Sequence, residues 1–184
     1  MLAGLGAEFH EATIPHAEQI LGTQWAILMP EAAAYHQETL RSSGDLHEPD
    51  VRLSLEVGEM VLATDYIRAL RMRTLLQQTW AGTFDGIDVL IAPTMPFAAP
   101  AVGQEEVTWA DGSTEDVHTA LVRLTCPINL VGLPSLSLPV GADDAGLPLG
   151  MQVVGRPFDE ATALRVGALY EAATDTVGRI APVG

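Results

Sequence analysis

Ser135-Leu136-Ser137-Leu138-Pro139-Val140, and after it Gly146-Leu147-Pro148-Leu149-Gly150-Met151-Gln152-Val153-Val154, decide the fold of this chain. Serines alternate with apolar side chains in the first run. A strand points successive side chains to opposite faces, so this alternation predicts a strand with one buried face. Pro139 has no amide hydrogen to give to a ladder and suits the end of that strand or an edge position. Gly146 to Gly150 is turn chemistry, and Met151–Val154 is apolar enough to return as a paired strand. Upstream, Asp88-Val89-Leu90-Ile91-Ala92 is a nearly unbroken apolar run between Gly86 and Pro93. It predicts a strand buried on both faces, and with it a mixed or parallel sheet.

Helical patterns surround these strands. Asp159 predicts the N-cap of a final helix reaching about Ala173. From Val57 to Gly82, Leu62, Tyr66, Ala69, Leu76 and Trp80 recur at three- and four-residue spacing, together with Arg73, and predict one long helix. A helix over 25–41 is expected to kink or break at Pro30, with a shorter helix near 16–22 before it. Residues 7–14 read as a short strand, Ser42–Asp50 as a polar loop, and 114–124 as a short helix leading to Cys126. Residues 93–114, with Pro93, Pro96, Pro100, Gly103 and Gly112, predict a long loop, the expected rim of a site. The whole reads as α/β, a mixed β-sheet flanked by helices, in one domain over 1–184.

With 184 residues, 48% of them hydrophobic, the chain can bury roughly 70% of its unfolded surface. The opening Met1–Thr13 has no basic stretch leading into a long apolar core, and no run of about 18 apolar residues occurs. A soluble, cytoplasmic protein is expected, with no membrane partner. The 24 acidic residues outweigh nine basic ones, giving a net charge of −15, and no basic cluster stands out. A phosphate-tracking surface is excluded, and with it nucleic acid as a partner. All nine basic residues are Arg, and the chain has no Lys at all. Its single Cys126 rules out an intramolecular disulfide and multi-cysteine metal sites. The five histidines lack ligand spacing, so neither metal nor cofactor is expected.

Three stretches, in order and spacing, resemble the amidase-signature (Ser-cisSer-Lys) family. The first is Arg71-Met72-Arg73-Thr74 followed by Phe84-Asp85-Gly86-Ile87-Asp88-Val89-Leu90-Ile91-Ala92-Pro93-Thr94-Met95-Pro96. The second is Thr125-Cys126-Pro127-Ile128-Asn129-Leu130-Val131-Gly132-Leu133-Pro134 running into Ser135–Gly141. The third is Gly146–Pro157, with Glu160 just after it. The resemblance implies a mixed sheet between helices and an acyl-enzyme mechanism for amide bonds. In such enzymes a Ser nucleophile is activated by a second Ser and a Lys base, and a glycine-rich loop meets the oxyanion. Only the C-terminal part of that family is represented: no Lys and no Gly-Ser-rich loop is present. Ser42-Ser43-Gly44 lacks the flanking glycines and reads as a polar turn. No catalytic residue is therefore assigned to this chain.

What the resemblance assigns to this part of the enzyme is a wall of the acyl pocket. Thr125 and Ile128 would face the substrate, with Cys126 and Asn129 close by. Thr125 and Asn129 equally suit hydrogen bonding to loop backbone. Arg73 matches the position that binds a substrate carboxylate in the glutamine-processing branch, a task suited to a bidentate guanidinium; alternatively it snorkels or pairs with a structural carboxylate. Val122 stands where that branch places an acidic partner, which argues against free glutamine as substrate. The implied partners are a small-molecule amide, the missing N-terminal portion and a second copy of the chain, since half a sheet leaves strand edges open. A separate reading makes Cys126 a nucleophile with His118 as base and Asp116 as orienter; an inert buried thiol is the alternative.

Overall fold

The structure, a computed structural model, describes residues 1–176. Its contacts divide the chain into two compact units, Pro15–Thr79 and a second made of Met1–Ile14 with the residues from Trp80 onward.

The first unit is helical. Helix α1 runs unbroken over Ala17–Ser43 with Pro30 inside it, so the expected short helix near 16–22 and the break at Pro30 are replaced by one continuous element. Pro30 forfeits one intrahelical bond, but Ile20, Thr23, Ile27 and Ala33 lie buried on both sides of it and hold the axis together. Ser42 and Ser43 belong to the last turn of α1 rather than to a loop. Helix α2, Pro49–Glu59, uses Pro49 in its first turn, where the missing amide hydrogen costs nothing. It packs on α1 so closely at Gly58 that a Cβ there would overlap the Met29 carbonyl. Helix α3, Ala63–Thr83, starts after a break. The single helix expected over 57–82 is therefore two, and Leu62 is exposed while Ala69 and Leu76 of α3 are buried. Tyr66 Oη donates to Glu31 of α1 at 2.7 Å, and that bond raises the phenol's pKa.

The second unit carries the strands. Strand β1 is Leu90–Pro93; β2, Glu106–Thr108, pairs with β3, Thr114–Asp116; short helices α4, Val117–Val122, and α5, Cys126–Val131, follow. Strand β4, Ser135–Ala142, and β5, Pro148–Val154, form a hairpin, and α6, Glu160–Ala172, ends the described elements. The order of the larger sheet is β1-β5-β4, and both its ladders are antiparallel. The α/β class stands. The apolar run at 88–92, however, gives a half-buried strand in antiparallel pairing, not one buried on both faces. Residues 7–14 lie outside any helix or ladder, with Phe9 mostly exposed. The expected loop 93–114 contains β2 and turns back into β3, so its centre is a hairpin.

Alternation in β4 sends Leu136 and Leu138 to one face, where Val153 and Met151 of β5 join Ala163 and Tyr170 of α6 in a core. Pro139 sits where the β4–β5 register shifts by a bulge, which accommodates its missing donor. Asp159 caps α6 as the sequence predicts, accepting from the Thr162 amide. A smaller core of Val107, Val117 and Ala120 lies under the hairpin with Phe97 and Trp109. No helix among the described residues is long and apolar enough to cross a membrane.

Candidate functional site

The face of the sheet opposite α6 is polar. Ser137 and Ala92 both stand opposite Gln152 in the register, so Ser135, Ser137 and Gln152 share this face. Thr94 continues β1 beyond its end, its amide bonded to the Gly150 carbonyl at 2.9 Å. Its hydroxyl lies 2.8 Å from that of Ser137. Two paired hydroxyls are weak nucleophiles until a base takes a proton. No Lys exists in the sequence to do so.

Gln152 is only 3% exposed, yet its side chain is fully engaged. Nε2 donates to the Pro93 carbonyl at 3.0 Å and to the Leu124 carbonyl at 2.8 Å. Ser135 Oγ donates to Oε1 at 3.5 Å. The amide orientation is forced by this environment, because turning it over would set an oxygen against two carbonyls. One residue beyond Leu124 comes Thr125, and the sequence-predicted wall begins there.

Four of the predicted site residues, Thr125, Cys126, Ile128 and Asn129, lie together at the start of α5. Thr125 is half-buried and stands as the N-cap residue of α5 without capping it through its side chain; its hydroxyl points back to the Val122 carbonyl at 3.4 Å. Cys126 and Ile128 are buried, while Asn129 is exposed. Helix α5, with Pro127 in its first turn, ends at Gly132, whose φ of 77° is the left-handed conformation that a glycine adopts without a Cβ clash. The segment Cys126–Val131 is thus a short helix, which no periodicity in so short a run could announce. Arg73, the fifth predicted residue, belongs to the helical unit, where it is half-buried and engaged, its charge bearing on the Tyr66 phenol.

The thiol of Cys126 is pushed up to about 11 by burial. It is protonated at neutral pH and no nucleophile. His118 Nδ1 lies 3.8 Å from Asp116 on exposed side chains. Asp116 itself is committed to capping α4: its carboxylate accepts from the Thr119 amide at 2.8 Å, and that bond holds its pKa below the ordinary value. A Cys-His-Asp relay lacks its thiolate. What sequence reasoning missed here is Gln152, whose type on a strand gives no sign of which loops it will reach.

An open cavity of about 870 Å³ is bounded by Phe9, Ile91, Met95, Phe97, Leu121 and Met151, among other apolar side chains.

A family model described as Amidase matches residues 1–164. An amidase of Pseudomonas putida is 48% identical over 173 residues, covering 94% of this chain and 37% of the relative. A glutamyl-tRNA(Gln) amidotransferase subunit of Methanosarcina barkeri (strain Fusaro / DSM 804) is 32% identical over 194 residues, covering 93% of this chain and 39% of the relative. Among solved structures, one described as a crystal structure of amidase superposes with a TM-score of 0.87 at 32% identity, over 94% of this chain and 39% of that one. The chain spans about two fifths of the length of the relatives it matches. Its α/β arrangement is that of amidase-signature structures in part. With nearly nine tenths of its length inside the family model, the chain belongs to the amidase family.

Proposed function

We propose that this chain is the C-terminal portion of an amidohydrolase that cleaves a carboxamide through a seryl acyl-enzyme, and that it supplies fold and acyl-pocket wall but no nucleophile. Thr125, Cys126, Ile128 and Asn129 form that wall, with Thr125 and Asn129 offering the polar contacts. Arg73 is the candidate for a charged or strongly polar substituent of the substrate. The observation that carries this reading is chemical: the sequence holds hydroxyls, among them the Thr94–Ser137 pair, but not one Lys to activate them. Alone, the chain is inactive.

Two assays test it. Purified chain is expected to give no turnover of amide or ester substrates. Co-expression with the N-terminal portion of an amidase relative is expected to restore hydrolysis that a serine-directed fluorophosphonate abolishes. Hydrolysis by the chain alone, abolished by the same reagent, would overturn the reading.

The open apolar cavity favours a second reading, a non-catalytic module that associates with a second copy of itself. Light scattering separates the two: a concentration-independent monomer that binds no hydrophobic dye rules the module out.

A further inference from the structure

We propose that Gln152 is a positioning residue, whose single amide group fixes the Thr125–Asn129 wall to the end of β1. The proposal rests on the amidohydrolase reading only for the purpose of that wall; the anchoring stands on geometry alone. Gln152 lies on β5, the central strand of the sheet, between β1 and β4. Both hydrogens of its Nε2 are spent on carbonyls of two separate segments: Pro93, the last residue of β1 before Thr94 and Met95, and Leu124, immediately before Thr125. Gln152 is only 3% exposed, so its removal withdraws a buried donor from both carbonyls at once. Leu124 lies in no strand, while Pro93 is the last residue of β1 and stands opposite Met151 of β5. The side chain thereby ties the Leu124 segment, which no backbone ladder holds, to the end of β1. Thr94 completes the same clamp on its neighbouring rung through its amide and its hydroxyl bond to Ser137.

The test uses the whole chain and needs no turnover, so its failure and the failure of the amidohydrolase reading are separate results. Cys126 follows Thr125 directly and is the only thiol, which makes it a native reporter. Its reaction with 4,4′-dithiodipyridine is measured in the wild type, in Gln152→Leu and in Gln152→Glu, alongside urea unfolding of each and hydrogen exchange of the backbone. Gln152→Leu is expected to speed labelling by roughly ten-fold beyond what its loss of global stability accounts for, two net hydrogen bonds being lost at one locus. Exchange should rise over 125–131 and at 94–95 while the β4–β5 ladder keeps its protection. Gln152→Glu recovers part of the protection in acid, where the neutral carboxyl retains one donor, and none once ionised. A rise in labelling that merely tracks global stability, or no rise, overturns the proposal. Should Gln152→Leu not fold, the wild-type side-chain amide decides: both Nε2 hydrogens are expected to exchange far more slowly than a free amide, and exchange at the free rate overturns it.

Discussion

Cys126 shows how a residue's chemistry follows its surroundings. The thiolate is disfavoured because burial strips its solvation, which pushes the thiol up to about 11. Native labelling by iodoacetamide at pH 7 is therefore expected to be slow, and to rise steeply in urea concentrations that unfold the chain. The sign of the stability effect follows from linkage. The folded thiol holds its proton to higher pH than the unfolded one, so this contribution is complete below the unfolded pKa and is lost as pH rises toward about 11. Urea midpoints from pH 7 to pH 10 in the wild type and in Cys126→Ala check this: the wild type should lose more stability over that range. Asp116 works the other way. Its carboxyl lies below the ordinary value because it accepts from Thr119, so its stabilisation is present above the unfolded pKa and is lost as pH falls through the folded one. Asp116→Ala is expected to cost about 1 kcal/mol near neutral pH and Asp116→Asn only a few tenths, measured by urea denaturation.

Elements were legible where period and punctuation agreed. Serine alternation from Ser135, turn residues at 146–150 and the Asp159 cap gave β4, β5 and α6, all of which are present. Elements were missed where tertiary packing overrode a local cue. Pro30 reads as a break, yet α1 continues through it, because buried side chains on each side hold a helix together at a local cost of about 3 kcal/mol. The pattern at 57–82 reads as one helix, yet it ends at Glu59 and restarts at Ala63. Gly58 marks the reason for that glycine at the end of α2: only a hydrogen fits against the Met29 carbonyl. Gly58→Ala is thus expected to destabilise by about 1–3 kcal/mol, since backbone there cannot yield as a side-chain tip would, and the urea midpoint should fall with an unchanged slope. A midpoint within error of the wild type would show that α1 and α2 can part without loss.

For the whole molecule, charge and apolar surface oppose one another. A net charge of −15 keeps copies apart at low salt. Screening shortens that repulsion to a Debye length of about 8 Å near physiological ionic strength, while the apolar cavity beside β1 remains open to water. The chain is expected to bind 8-anilinonaphthalene-1-sulfonate in its folded state, and its weight-average mass in light scattering should grow as salt is raised from 10 to about 150 mM. A mass independent of salt, with no dye fluorescence, would mean that this surface is satisfied within the monomer.

The amino-acid sequence by itself determined the amidase kinship, the β4–β5 hairpin with its capped helix, and the absence of a Lys base, because each of these is written in residue type at short spacing. Only the tertiary structure decided that Cys126–Val131 forms a short helix with Cys126 buried at its start, that the sheet pairs antiparallel, and that Gln152 reaches from β5 to Pro93 and Leu124. Those are long-range matters: the partners lie 28 and 59 residues from Gln152 along the chain, and a hydrogen bond across such a distance leaves no period to read.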